Sequence, residues 1–121
     1  MFAFSLTVLA ERYALFFMMH TYPISLKRQF RQWAQTAADR ELQQQLADLA
    51  AQVDAWRQQA ITGRELRHAL HQYVEGASRD LIQRYREQPD DLLVRKALAK
   101  GLLQRDEVPR ELLAALEPGD E

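Results

Sequence analysis

The chain has 121 residues, 47% of them hydrophobic and 27% charged, with a formal net charge of −1. That length supports one ordinary core and excludes a second independently stable domain, and the apolar content excludes an intrinsically disordered chain. Near-neutral charge gives no support to polyanion or membrane-surface binding, while the absence of cysteine excludes disulfides, thiolate metal sites and a cysteine nucleophile and fits a reducing, cytoplasmic setting.

The first nineteen residues, MFAFSLTVLAERYALFFMM, are the most apolar stretch. They lack a basic n-region and a small-residue cleavage site, and Glu11 and Arg12 interrupt the run before it reaches the roughly 20 residues a membrane span requires. Neither a signal peptide nor a membrane span is therefore expected. Phe2, Phe4, Leu6 and Val8 alternate as in a half-buried strand, whereas Phe2, Leu6, Leu9, Tyr13 and Phe16 keep helical spacing. The density of β-branched and aromatic residues tips the balance to strand. The segment 1–22 is expected to pack on the rest of the molecule, with Met18 or Met19 as an alternative start of the chain.

Tyr22-Pro23 marks the first boundary, because the residue before proline is driven out of helical geometry. Ser25 is the expected cap of the next helix. From Leu26 to Ala60 there is no Gly or Pro, and Ala, Gln, Leu and Arg dominate, so one long helix or two abutting helices are predicted. Leu42, Leu46, Leu49, Val53, Trp56 and Ala60 are spaced as in a seam against another helix. Leu26, Phe30, Trp33 and Ala37 keep the same spacing, but on a stripe turned well away from the later one. A break near Asp39, with Asp39 as a new cap, is favoured over a continuous helix serving two partners.

Thr62-Gly63-Arg64-Glu65 has the form of a capping box, so a helix is predicted to start there, bearing Leu66, Leu70, Tyr73, Ala77, Leu81 and Arg84 or Tyr85 on one face until Pro89 stops it. Asp90 or Asp91 is the expected cap of a shorter helix carrying Leu93, Val94, Ala97, Leu98 and Leu102, with Gly101 near its end. A last helix opens at Pro109 and carries Leu112, Leu113 and Leu116, ahead of a frayed acidic tail at 118–121. The predicted fold is mainly α: a single small bundle of four to five helices over 1–121, with a short strand or an extra helix at the N-terminus.

Three constellations carry candidate chemistry. Glu65 and His68 form a Glu-x-x-His pair of the kind that grips a metal in carboxylate bundles, extended by His71 and Glu75, but the second copy such a site needs is missing and these residues fall opposite the apolar stripe. No metal or other cofactor is therefore expected. Lys27, Arg28 and Arg31 alternate with Phe30 and Trp33, a pattern able to track phosphates and stack a base, although the two aromatics share the phase of Leu26 and Ala37 and read first as core. Residues 93–116 only weakly resemble a helix-turn-helix, since Arg110 is the sole basic residue offered by the second helix.

No serine stands in a nucleophile elbow, the glycines form no phosphate-cradling loop, and no catalytic residue is assigned. The expected function is therefore a non-enzymatic helical interaction module, an adaptor, regulator or small subunit, self-associating as a homodimer or binding a protein partner through Phe30, Trp33 and Trp56. Nucleic-acid association through Lys27, Arg28 and Arg31 is the alternative, and metal-dependent chemistry at Glu65 and His68 stands third.

Overall fold

A computed structural model of the protein describes residues 22–116. The expectations for the apolar segment before Tyr22 and for the 118–121 tail lie outside the described residues. Those described are helical, with no strand among them, in accord with the helical composition.

Helix α1 runs from Ile24 to Arg57 without interruption, 34 residues or about 50 Å of helix. The break expected near Asp39 does not occur, and Asp39 is an exposed residue in mid-helix. Its neighbours are strong helix formers, and the two apolar stripes each meet a different partner, so nothing forces the backbone to change phase. Ser25 is not the cap either. The helix begins one residue earlier, after Pro23, whose carbonyl accepts the first bond from the Lys27 N–H at 3.0 Å. α1 stops at Gln59, which takes the left-handed conformation (φ 63°) and lets the Ala60 N–H reach back to the Ala55 carbonyl at 2.8 Å.

The chain then reverses. α2 (Gly63–Tyr73) opens on the predicted capping box: Thr62 Oγ1 accepts from the Glu65 N–H, and the Glu65 carboxylate accepts from the Thr62 N–H, each at 3.1 Å. A single π turn, Val74–Ser78, joins α2 to α3 (Arg79–Glu87). Together they make one return helix, residues 63–87, antiparallel to α1.

The π turn has a reason in the side-chain spacing. Tyr73, Ala77, Leu81 and Tyr85 follow one another in steps of four, and each step advances the stripe by about 40° around an α-helix. Three steps would carry Tyr85 off the inner side. The wider turn accommodates an additional residue and restores the phase, so that Leu81 is buried and Tyr85 half-buried. Leu70 and Ala77, expected on the inner face, are exposed instead.

α4 (Asp90–Lys100) follows Pro89, and α5 (Arg110–Leu116) follows Pro109. Asp90 and Asp91 are not caps as expected; both occupy the first turn of α4, where carboxylates interact favourably with the helix dipole. Gly101 ends α4 at φ 81°, and the Leu102 N–H closes onto the Ala97 carbonyl at 2.9 Å. A side chain at that φ would be strained, which is why glycine stands there.

The core lies at one end of the molecule. Phe30, Ala34 and Ala37 of α1 pack with Leu93, Val94 and Ala97 of α4, Leu102, Leu103 and Val108 of the connecting segment, and Leu112 and Leu116 of α5. Tyr22 closes it from the side, its ring tilted against Phe30 with centroids 5.0 Å apart. The second half of α1 takes no part. It projects with the return helix as a two-helix hairpin.

Candidate interaction surface

Two neighbouring residues of α1 mark the junction, Arg40 tied to the core end and Glu41 to the return helix. Arg40 grips Glu107 through two hydrogen bonds of 2.7 Å and donates a third, 2.9 Å, to the Leu102 carbonyl. Glu107 also accepts from the Gln104 N–H at 2.8 Å. The Arg40 guanidinium and then that amide hold its carboxyl down at about 2. Glu41 points the other way, paired with the Arg84 guanidinium and accepting from the Tyr85 hydroxyl at 3.1 Å. Arg84 keeps the Glu41 carboxyl below its ordinary range. Burial first, and the Glu41 charge second, push the Tyr85 hydroxyl up to about 12. Tyr85 therefore stays protonated and acts as a fixed donor. The cluster is suited to holding α3 against α1 rather than to moving protons.

Beyond this junction the packing thins. Leu49 and Val53 of α1 run beside Leu66, Ala69 and Tyr73 of α2, with Leu42 and Gln45 nearer the junction, and all of them are only half-buried. Gln45 Nε2 donates to the Ala77 carbonyl at 3.4 Å, which sets the level at which the helices pass. Besides Trp56, four large apolar side chains remain open to solvent along this hairpin: Leu46 at 47% exposure, Leu70 at 40%, Val74 at 59% and Ile82 at 52%.

These four share a face. At about 100° per residue, Leu46 and Ala50 lie to one side of α1's contact stripe, and Leu70 and Val74 lie to the corresponding side of the α2 stripe. Antiparallel helices turn in opposite senses when viewed from one end, so corresponding sides form a single face of the hairpin. Val74, Ile82 and Arg86 line one open groove of about 450 Å³ there.

The residues singled out from the sequence are dispersed. Phe30 is fully buried and offers no surface, so as an interaction residue it is corrected to core; Trp33 packs half-buried against the same cluster. Both follow from the stripe they share with Ala37. Trp56 stands at the hairpin tip, 44% exposed, its indole Nε1 3.7 Å from where a side chain on Gly63 would begin. Lys27, Arg28 and Arg31 form the edge of the core end, where Arg31 stands 3.9 Å from Asp90 and Gln29 bonds Glu111. The structure does not bring these cations to an exposed aromatic.

Glu65 is used in the capping box and Glu75 pairs with Arg79 at 3.2 Å. His68 and His71 are exposed, and among the described residues no three His, Asp or Glu side chains converge as metal ligands. Leu46 and Leu70 read as seam residues by their spacing, while Val74 and Ile82 lie off the apolar stripes read from the sequence and carry no signal there.

No helix among the described residues is long and apolar enough to cross a membrane. Comparison with protein-family models, curated proteins and solved structures returns no match.

Proposed function

We propose that the protein is a non-enzymatic helical interaction module, an adaptor, regulator or small subunit, that works by offering the apolar face of its hairpin to another protein. One observation carries this reading: Leu46, Leu70, Val74 and Ile82, each 40% exposed or more, gather on one side of a two-helix projection. A contiguous apolar patch rimmed by polar residues favours protein contact over solvent, and helices laid against helices are the packing such a face fits. The core at the other end holds the hairpin by Arg40 without covering this face. Self-association is one use of it, and a cytosolic setting agrees with a chain free of cysteine.

The test is site-specific photocrosslinking in cells that make the protein natively. A photoreactive residue in place of Val74 is expected to give discrete protein adducts, whereas one in place of Gln44, exposed on the far side of α1, is not. Equal, diffuse labelling from both positions would remove the proposal.

A further inference from the structure

The apolar face is bordered by charges arranged with a polarity of their own. Asp39 and Asp54 flank Leu46 and Ala50 on α1, and Arg67 and Arg86 flank Leu70, Val74 and Ile82 on the return helix. All four are exposed, and none forms an ion pair with a described residue. Arg57, exposed in the last turn of α1 one turn beyond Asp54, is the one cation on that border, so the α1 side of the face is net acidic and the return-helix side basic.

Their levels along the hairpin match as well. Glu41 meets Arg84 and Tyr85, so Asp39, two residues nearer the core, stands level with Arg86 to within a turn. Trp56 lies beside Gly63 at the tip, which sets Asp54 level with Arg67 to within a turn. Within one chain these pairs sit side by side and point out of the face, where they do not meet.

Resting on the reading of this face as a docking surface, we propose that its occupant is a second copy of the same chain. The two hairpins lie face to face about a two-fold axis parallel to their length, with both tips at the same end. That operation lays each α1 over the partner's return helix at an unchanged level. Asp39 then faces the partner's Arg86 and Asp54 faces the partner's Arg67, each contact occurring twice by symmetry, around an apolar centre of Leu46, Leu70, Val74 and Ile82.

The other face-to-face two-fold, perpendicular to the hairpin, lays α1 on α1. It would oppose Asp39 to Asp54 and Arg67 to Arg86 at the same levels, and like charges facing one another select against it. The described core packs on the stripe of α1 turned away from this face, through Phe30, Ala34 and Ala37, so among the described residues no part of the core stands between the two hairpins. The result is a four-helix bundle built from two hairpins.

The full chain, the double variant Asp39→Arg/Asp54→Arg, the double variant Arg67→Asp/Arg86→Asp and an equimolar mixture of the two variants are compared by sedimentation equilibrium. The native chain is expected to dimerise, each variant to shift its dimer dissociation constant upward by at least about tenfold, and the mixture to regain a heterodimer of near-native affinity. Recovery on mixing also shows that each variant is folded. A native chain that stays monomeric, a dimer indifferent to the substitutions, or variants that do not recover on mixing would each overturn the proposal. The photocrosslink at position 74 separates this outcome from failure of the docking reading. Adducts with other proteins but not with itself leave the face a docking surface and remove the dimer, and no specific adduct removes both.

Discussion

The two halves of α1 are one helix in two environments. The first half buries Phe30, Ala34 and Ala37, while the second half, richer in leucine with Leu42, Leu46 and Leu49 against Leu26 alone, buries none of its residues. The return helix repeats the contrast, with no buried residue in α2 or the π turn and only Leu81 buried in α3. The difference lies in the number of neighbours. The core end is packed from α1, α4, α5 and the segment between them, whereas among the described residues each hairpin helix packs along its length on the other alone. A pair of helices cannot enclose a core, and the apolar side chains on its flank stay exposed because no other described element packs over them.

That contrast can be broken from the core side with the largest effect. Phe30→Ala should destabilise the chain by about 3–5 kcal/mol, read as the shift of a urea unfolding midpoint. Leu70→Ala should cost under about 1 kcal/mol, since its side chain is already 40% exposed in the native state. Similar losses at the two positions would erase the distinction between the ends. Hydrogen exchange gives the same comparison without substitution: amides of residues 27–37 and 93–97 should be protected longest and those of 46–73 least.

The junction comes next in size. Glu41→Ala removes the partner of the Arg84 guanidinium and the acceptor of the Tyr85 hydroxyl, and should cost about 1–2 kcal/mol, moderated because Arg84 still reaches water. The pH dependence has two arms. Glu41 has a lowered pKa in the fold, so the stability it lends is present at neutral pH and is lost as pH falls below the ordinary 4.5 and through the folded value. Tyr85 has a raised pKa, so its contribution is complete below 10 and disappears as pH climbs from there to about 12. The Glu41→Ala variant should lessen the acid arm of a stability-against-pH curve, the remainder belonging to Glu107, and a Tyr85→Phe variant should flatten the alkaline one.

Two smaller changes probe the hairpin itself. Gln59 holds φ 63° without being glycine, so Gln59→Gly should stabilise the chain by up to about 1 kcal/mol by relieving the left-handed strain. Deleting Gly76 from the π turn should convert residues 63–87 to a regular α-helix while leaving Leu81 and Tyr85 directed at α1, changing stability by under about 1 kcal/mol. Circular dichroism and the thermal midpoint would report it. A deletion that unfolds the hairpin would show that the π turn does something other than restore phase.

Much of the secondary structure is local chemistry and was legible in that form. The Thr62 and Glu65 capping box, the stop before Pro89, the left-handed Gly101 and the start after Pro109 each depend on residues within a turn of one another. The candidate surface was legible only in part. Leu46 and Leu70 declared themselves apolar but read as seam residues, because spacing does not reveal whether a second or a third helix covers the stripe. Phe30 belonged visibly to an apolar stripe, yet only the packing of α4, the connecting segment and α5 made it core rather than contact.

By itself the sequence determined that the chain is helical, where most of its helices begin and end, and that two apolar stripes run along residues 26–60 in different directions. Those properties derive from backbone propensity, capping and periodicity, which act over a few residues. Tertiary structure decided the rest: that α1 stays whole, that a π turn rephases the return helix, that Arg40 and Glu41 reach partners 67 and 43 residues away, and which apolar flank no other described element covers. Each is an outcome of which surfaces meet, and contacts between residues so far apart leave no periodic trace in the chain that makes them.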